Sequence, residues 1–245
     1  MHPHLVLRLE APLVAFGGDA IDNLGVIRPF PSKSMITGLL ANALGVERYE
    51  YELLQSLQDG LVFGSRIQLD RRLLRDFQTA GLSKSDQGWT TREEVEGRGG
   101  GSASYLGPHL RYRDYWADAE ITVVFRLLPG SPVDLDQLKD ALQYPARPLF
   151  LGRKTCIPSS AVYNGGITAP GVFAALLALF DVGSEAVAVS LQWPAFDDPD
   201  SSLPSEFPEA RLEPVCDERN WITGVHGGER LVRVLDFNKG AWDRQ

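Results

Sequence analysis

The residues best suited to chemistry in this chain are cations set beside small donors. Ser32-Lys33-Ser34 stands at the predicted start of a helix, where free backbone N–H groups and the positive end of the helix dipole favour an anion. Two hydroxyls and an ammonium add donors there, as a phosphate clamp requires. A plain helix cap with an exposed lysine would use the same residues. The segment is not a Walker A loop, because Ser32 rather than a glycine precedes Lys33. Gly152-Arg153-Lys154-Thr155-Cys156 is a second candidate. Its glycine lets the backbone approach a ligand and its two cations supply charge, although a solvated surface turn fits as well.

Between Arg71 and Trp116 cations alternate with aromatics, among them Arg75, Phe77, Trp89, Arg92, Arg111, Tyr112 and Arg113. This pattern suits stacking and phosphate contact with single-stranded nucleic acid, and it also suits a hairpin whose aromatics pack its own base. Hydrolytic chemistry finds less support. The four histidines lack metal-ligand spacing, and no carboxylate cluster resembles a two-metal nuclease. Cys156 and Cys216 are too far apart in sequence for a zinc motif, and Cys156 reads as a small buried hydrophobe. Tyr105, His109 and Tyr112 could supply acid–base groups for metal-free RNA cleavage, which stands as the alternative activity.

The net charge of -8 over 245 residues argues against a basic footprint spread over the whole surface, but phosphate contact needs only a local basic face. The acids are unevenly placed. None lies between Asp22 and Glu47, where Arg28 and Lys33 stand, nor between Asp140 and Asp181, where Arg147, Arg153 and Lys154 stand. Buried helices would also exclude carboxylates from these windows. No apolar run approaches the roughly 20 residues needed to cross a bilayer, and no signal peptide is recognisable. With two isolated cysteines, this predicts a reducing cytoplasm.

The elements that must position these residues follow from periodicity. Leu5 to Leu9 alternates as a half-buried strand. Ser32 caps a helix whose apolar face is Met35, Ile36, Leu39, Leu40 and Ala43, with Gly45 just past its end. Strand candidates lie at Leu61-Val62-Phe63 and Ile67-Gln68-Leu69, followed by the polar insertion, in which Gly97 to Ser102 cannot hold regular structure by itself. Ile121 to Leu128 is a strand, Asp134 with Gln137 forms a capping box for a second helix, and Pro148 to Leu151 is a short extended stretch. This is the split βαβ order, with helices on one side of the sheet and the other side open to single-stranded RNA. The remaining third offers a helix from Val172 to Phe180 and strands at Ala186 to Trp193 and Leu231 to Phe237.

Several segments together resemble the CasD subunits of type I-E CRISPR Cascade complexes. They are Leu7 to Leu13 followed by Phe16-Gly17; Pro31 to Ser34 running into Gly38-Leu39-Leu40 and Ala43-Leu44-Gly45; Arg75 to Thr79; Tyr115 to Ala119; and Leu151 to Cys156. The resemblance implies an RRM-like fold of the repeat-associated RNA-binding superfamily. It also implies a subunit that caps the 5′ handle of the CRISPR RNA, with a thumb hairpin reaching the adjacent backbone subunit. The insertion at 71–116 falls where that thumb belongs. Some relatives cut the precursor RNA themselves, but the motifs here look more like the branch that only binds it.

The expectation is therefore an α+β protein with a ferredoxin-like (RRM-like) core over residues 1–160, a thumb at about 71–116, and a C-terminal α/β portion over 161–245. Lys33, Arg153 and Lys154 are expected to neutralise phosphates and Ser32 and Ser34 to hydrogen-bond them, with Gly152 in the same segment. Arg28 and Arg111 are further contacts, and Phe77 and Tyr112 weaker candidates for stacking or thumb packing. No catalytic residue, metal or cofactor is expected. The partners are CRISPR RNA and the other Cascade subunits, above all the backbone and large subunits, with target DNA reached indirectly.

Overall fold

Leucines at alternate positions give one face of the first strand to the main core. β1 (His2–Val14) places Leu5, Leu7 and Leu9 there and turns His4 and Val6 to the opposite face. The computed structural model describes residues 1–18, 23–80, 109–179, 188–197 and 209–238. After β2 (Leu24–Gly25) comes α1 (Lys33–Leu44), with Ser32 Oγ accepting the Met35 N–H at 3.1 Å and Gly45 closing the helix at φ 79°. These are the boundaries read from the sequence. α2 (Tyr51–Gly60) leads directly into β3 (Leu61–Gln68).

β4 (Arg72–Ala80) and β5 (His109–Leu127) carry the insertion. The C-terminal part of β5 pairs with β1 and β3, as in Leu5↔Phe125 and Leu61↔Leu127, whereas its N-terminal part pairs with β4 from Arg72↔Ala117 to Ala80↔His109. The two halves join at Asp118, which has a left-handed backbone at φ 52°. The insertion is thus a paired arm where described, and the glycine run at 97–102 lies outside the described residues.

α3 (Leu135–Gln143) begins with the expected capping box between Asp134 and Gln137. β6 (Tyr163–Ala169), α4 (Val172–Ala178), β7 (Ala188–Pro194), β8 (Arg211–Val215) and β9 (Arg230–Asn238) complete the chain. The strands form one sheet in the order β6-β1-β5-β3-β7-β9-β8, with β2 and β4 also on β5, and all pairings except β2–β5 are antiparallel. The protein is an α+β chain dominated by this antiparallel sheet.

Two expectations are corrected. The stretch from Pro148 to Leu151 is not a strand, because Leu151 instead closes a turn, accepting the Ala15 N–H at 3.1 Å and donating to Cys156 O at 2.7 Å. The place beside β1 belongs to β6, whose Gly165-Gly166 pair reads in sequence as a turn. Nor is the second face of the sheet open. β6 and β7 lie parallel, four antiparallel steps apart, so α4 between them crosses that face. Its Val172, Phe173 and Leu176 join Val6, Val62 and Val124 in a second buried cluster.

Candidate nucleic-acid interface

A helix N-terminus attracts an anion, and α1 already holds one of the protein's own. The Lys33 N–H donates to Asp217 Oδ2 at 3.0 Å, and the Ser34 N–H donates to Asp217 O at 3.0 Å. Arg230 grips the other side of the same carboxylate through Nε and Nη2, both at 2.7 Å. The Lys33 ammonium is itself paired with Glu218 at 2.8 Å. Ser32 Oγ and Ser34 Oγ lie 3.2 Å apart, both buried. The cationic character of this segment is therefore matched by acids from the C-terminal third.

The second candidate segment is shaped by close packing. Gly152 sits at φ 95°, and a Cβ there would lie 1.8 Å from Ala15 O, so the close approach is to backbone. That approach aims Arg153 inward. Its guanidinium donates to Asp114 O at 2.9 Å and Gly25 O at 3.1 Å and lies 4.6 Å over the Tyr115 ring, fastening β2 to the base of the arm. Lys154, one residue on, is exposed and has no ion-pair partner among the described residues. Burial pushes the Cys156 thiol up, against any role as a thiolate nucleophile.

Arg28 donates to Gly17 O at 3.1 Å and Cys216 O at 2.8 Å, tying the loop before α1 to the C-terminal third. Arg71 donates to Pro29 O at 2.8 Å and lies 4.1 Å over Trp116, whose indole N–H donates to Arg28 O at 2.9 Å. Burial draws the Arg71 guanidinium down to about 10, which leaves it charged at neutral pH. On the arm, Arg75 and Asp114 form a two-pronged pair at 2.7 and 3.0 Å, and hydrogen bonding to Arg75 holds the Asp114 carboxyl below its usual range. The Phe77 and Tyr112 rings are 5.3 Å apart, and Arg111 contacts only its neighbour Leu110 O among the described bonds.

These elements enclose a cavity of about 340 Å³ between α1, the turn at Gly152 and the segment from Asp217 to His226. Five expected residues, Arg28, Ser32, Ser34, Gly152 and Arg153, line it together. Lys33 points elsewhere, and Arg111, Phe77 and Tyr112 belong to the arm. The wall also contains Arg219, Trp221 and His226, which sequence reasoning did not select. Their only signal was a cation two residues before a tryptophan; the contact with α1 and α2 spans more than 160 positions. Among the described residues no group of His, Cys, Asp or Glu could hold a metal ion, and no helix is long and apolar enough to cross a membrane. Tyr105 and the side chain of His109, named for the alternative activity, lie outside the described residues.

The chain is 28% identical over 222 residues to the CRISPR system Cascade subunit CasD of Escherichia coli (strain K12), covering 84% of this chain and 93% of that one. Its fold is similar to a chain of a CRISPR RNA-guided surveillance complex, with a TM-score of 0.61 at 22% identity, over 96% of this chain and 90% of that one. A crystal structure of a Cas protein matches with a TM-score of 0.58 at 23% identity, over 97% and 96% of the two chains. The sequence profile of the CRISPR-associated protein (Cas_Cas5) family matches residues 4–233, nearly the whole chain, and the protein belongs to that family.

Proposed function

We propose that this chain is a non-catalytic, cytoplasmic subunit of a CRISPR Cascade complex that binds and caps the 5′ handle of the CRISPR RNA in antiviral defence. The observation that carries the reading is the convergence of Arg28, Arg153 and Arg219 on one cavity beside the base of a protruding arm, in a protein related to a Cascade subunit. The order β6-β1-β5-β3, with α1 and α3 packed on one face, supports a ferredoxin-like core whose fourth strand, β6, lies just beyond the expected limit of residue 160, with β7, β9 and β8 extending the same sheet past β3. Because α4 covers the other face, RNA is assigned to the sheet's end, around the cavity and the arm.

The proposed contacts differ in how their side chains are engaged. Lys154 and Arg111 offer charge at the surface, whereas Arg28 and Arg153 present guanidinium faces while their N–H groups hold backbone carbonyls. Lys33 would meet a phosphate only by exchanging Glu218. Ser32, Ser34 and Gly152 shape the wall. The arm, with Leu73, Phe77 and Leu110 exposed, is assigned to the adjacent backbone subunit. The large subunit and, through the complex, target DNA complete the proposed partners.

Incubation of the purified chain with labelled repeat RNA, alone and with its partner subunits, tests the reading. Intact RNA retained by the assembly is the expected result. A discrete chelator-resistant cut by the chain alone would instead establish the processing nuclease.

A further inference from the structure

Gln58 of α2 is 1% exposed and spends its whole amide on one turn. Its Oε1 accepts the Arg219 N–H at 3.1 Å and the Trp221 indole N–H at 3.0 Å, while Nε2 donates to Arg219 O at 2.9 Å. Gln55 Oε1 takes the Trp221 backbone N–H at 3.0 Å. The turn is also closed on itself. Asn220 Oδ1 accepts the N–H groups of Ile222 and Thr223, and Arg219 bridges to His226. The result is a fixed indole against α1 near Gly38, with the Arg219 guanidinium 5.2 Å over its ring.

Arg219 is in an unusual state for a cation. No carboxylate lies within ion-pair distance among the described residues, and its Nε is buried without a hydrogen-bond partner. Burial and, secondarily, the charge of Arg48 both push its guanidinium down. Arg153 lines the same cavity, and Asp217, the one acid on its wall among the described residues, is already neutralised by Arg230. An aromatic side chain on the wall, the Arg219 guanidinium beside it and about 340 Å³ of space fit a planar ring attached to an anionic group.

We infer that this cavity is a subsite for one unpaired RNA nucleotide, with its base stacked on Trp221 and its phosphate paired with Arg219, and that Gln58 is the positioning residue that aims both. This rests on the handle-binding reading and gives the C-terminal third a direct part in it. Stacking on one aromatic side chain is worth about 1–3 kcal/mol, so its loss weakens binding by about 5- to 150-fold.

The test uses the full chain assembled with its partner subunits and a guide RNA carrying 2-aminopurine at one handle position at a time. One position should be quenched in the wild type, recover its fluorescence in Trp221→Ala and stay quenched in Trp221→Phe. Arg219→Ala should weaken RNA retention about tenfold, with Arg219→Lys restoring part of it. Gln58→Leu should abolish the quenching, and Gln58→Glu, which keeps both acceptor bonds but loses the donor to Arg219 O, should restore part of it. RNA that stays bound with no position responding to Trp221→Ala overturns the subsite and leaves the handle reading standing. If the wild-type assembly retains no RNA, both fail.

Discussion

Asp217 and Arg230 form a two-pronged ion pair at 2.7 Å on each prong, and the same carboxylate accepts the first backbone N–H of α1. Their side chains are 5% and 13% exposed. The pair thus joins β9 and the segment after β8 to the start of α1, and the Arg230 guanidinium lies 4.9 Å over Phe63 in β3. Removing one partner of such a pair strands the other charge in a site shielded from water. Asp217→Ala is expected to lower unfolding free energy by about 3 kcal/mol. Arg230→Ala should cost a similar amount, and the double substitution clearly less than the sum. Denaturant midpoints of the three variants measure this; strict additivity would mean that the pair does not act as a unit.

Gly152 is predicted to tolerate no side chain. Two effects combine there, a left-handed backbone at φ 95° and a contact of 1.8 Å between a new Cβ and Ala15 O. Gly130 separates them, since its φ of 86° is similar but nothing lies within 4 Å of its Cβ position. Gly130→Ala should cost only the backbone term, about 1 kcal/mol. Gly152→Ala must in addition move backbone, and should lose both thermal stability and the Arg153 contacts with β2 and the arm. Equal melting temperatures for the two variants would refute the packing argument.

What could be read in advance divides by the range of the interactions. The α1 cap at Ser32, its end at Gly45 and the Asp134–Gln137 capping box rest on bonds within a few residues, and all are present. β6 was hidden because its strand character comes from pairing with β1 across more than 150 positions, against two glycines that read locally as a turn. The covered second face depends on where α4 lands after crossing the sheet, which no local pattern encodes. For the site, the basic segments around Arg28 and Gly152 were legible from charge alone. Asp217, Glu218, Arg219 and Trp221 were not, because their meaning comes from Lys33, Gln55 and Gln58, far away in sequence.

His4 makes the fold sensitive to mild acid. It is 1% exposed on the α4 side of β1, and neither ring nitrogen has a hydrogen-bond partner among the described residues. Burial, the largest effect, holds its imidazole below the ordinary value of 6.5, with the His2 backbone and then Asp197 opposing the shift and Arg126 reinforcing it. The unfolded chain therefore binds a proton that the folded chain resists. The contribution of His4 is complete above pH 6.5 and declines as pH falls from there toward the folded value. His4→Leu should flatten the stability profile in that window and be no less stable at neutral pH. An unchanged slope would show that His4 is not the titrating group.

The arm should separate assembly from stability. Leu73 and Phe77 are 54% and 53% exposed and fall on one face of β4, opposite Trp116 and Tyr112 of β5. With so much of each ring or methyl group already in water, truncation removes little buried area, so Leu73→Ala and Phe77→Ala should each change stability by less than about 1 kcal/mol. If this face meets the neighbouring subunit, the same residues become buried on assembly. Burying a fully exposed side chain of that size is worth about 1.5–3 kcal/mol, and about half of each is in water here, so each truncation should weaken association with the backbone subunit about four- to twelvefold. Arg72→Ala is the control on the opposite face, since its pair with Asp118 is exposed on both sides. Sedimentation of the reconstituted complex measures the difference. Equal association for all three variants would place the interface elsewhere on the arm.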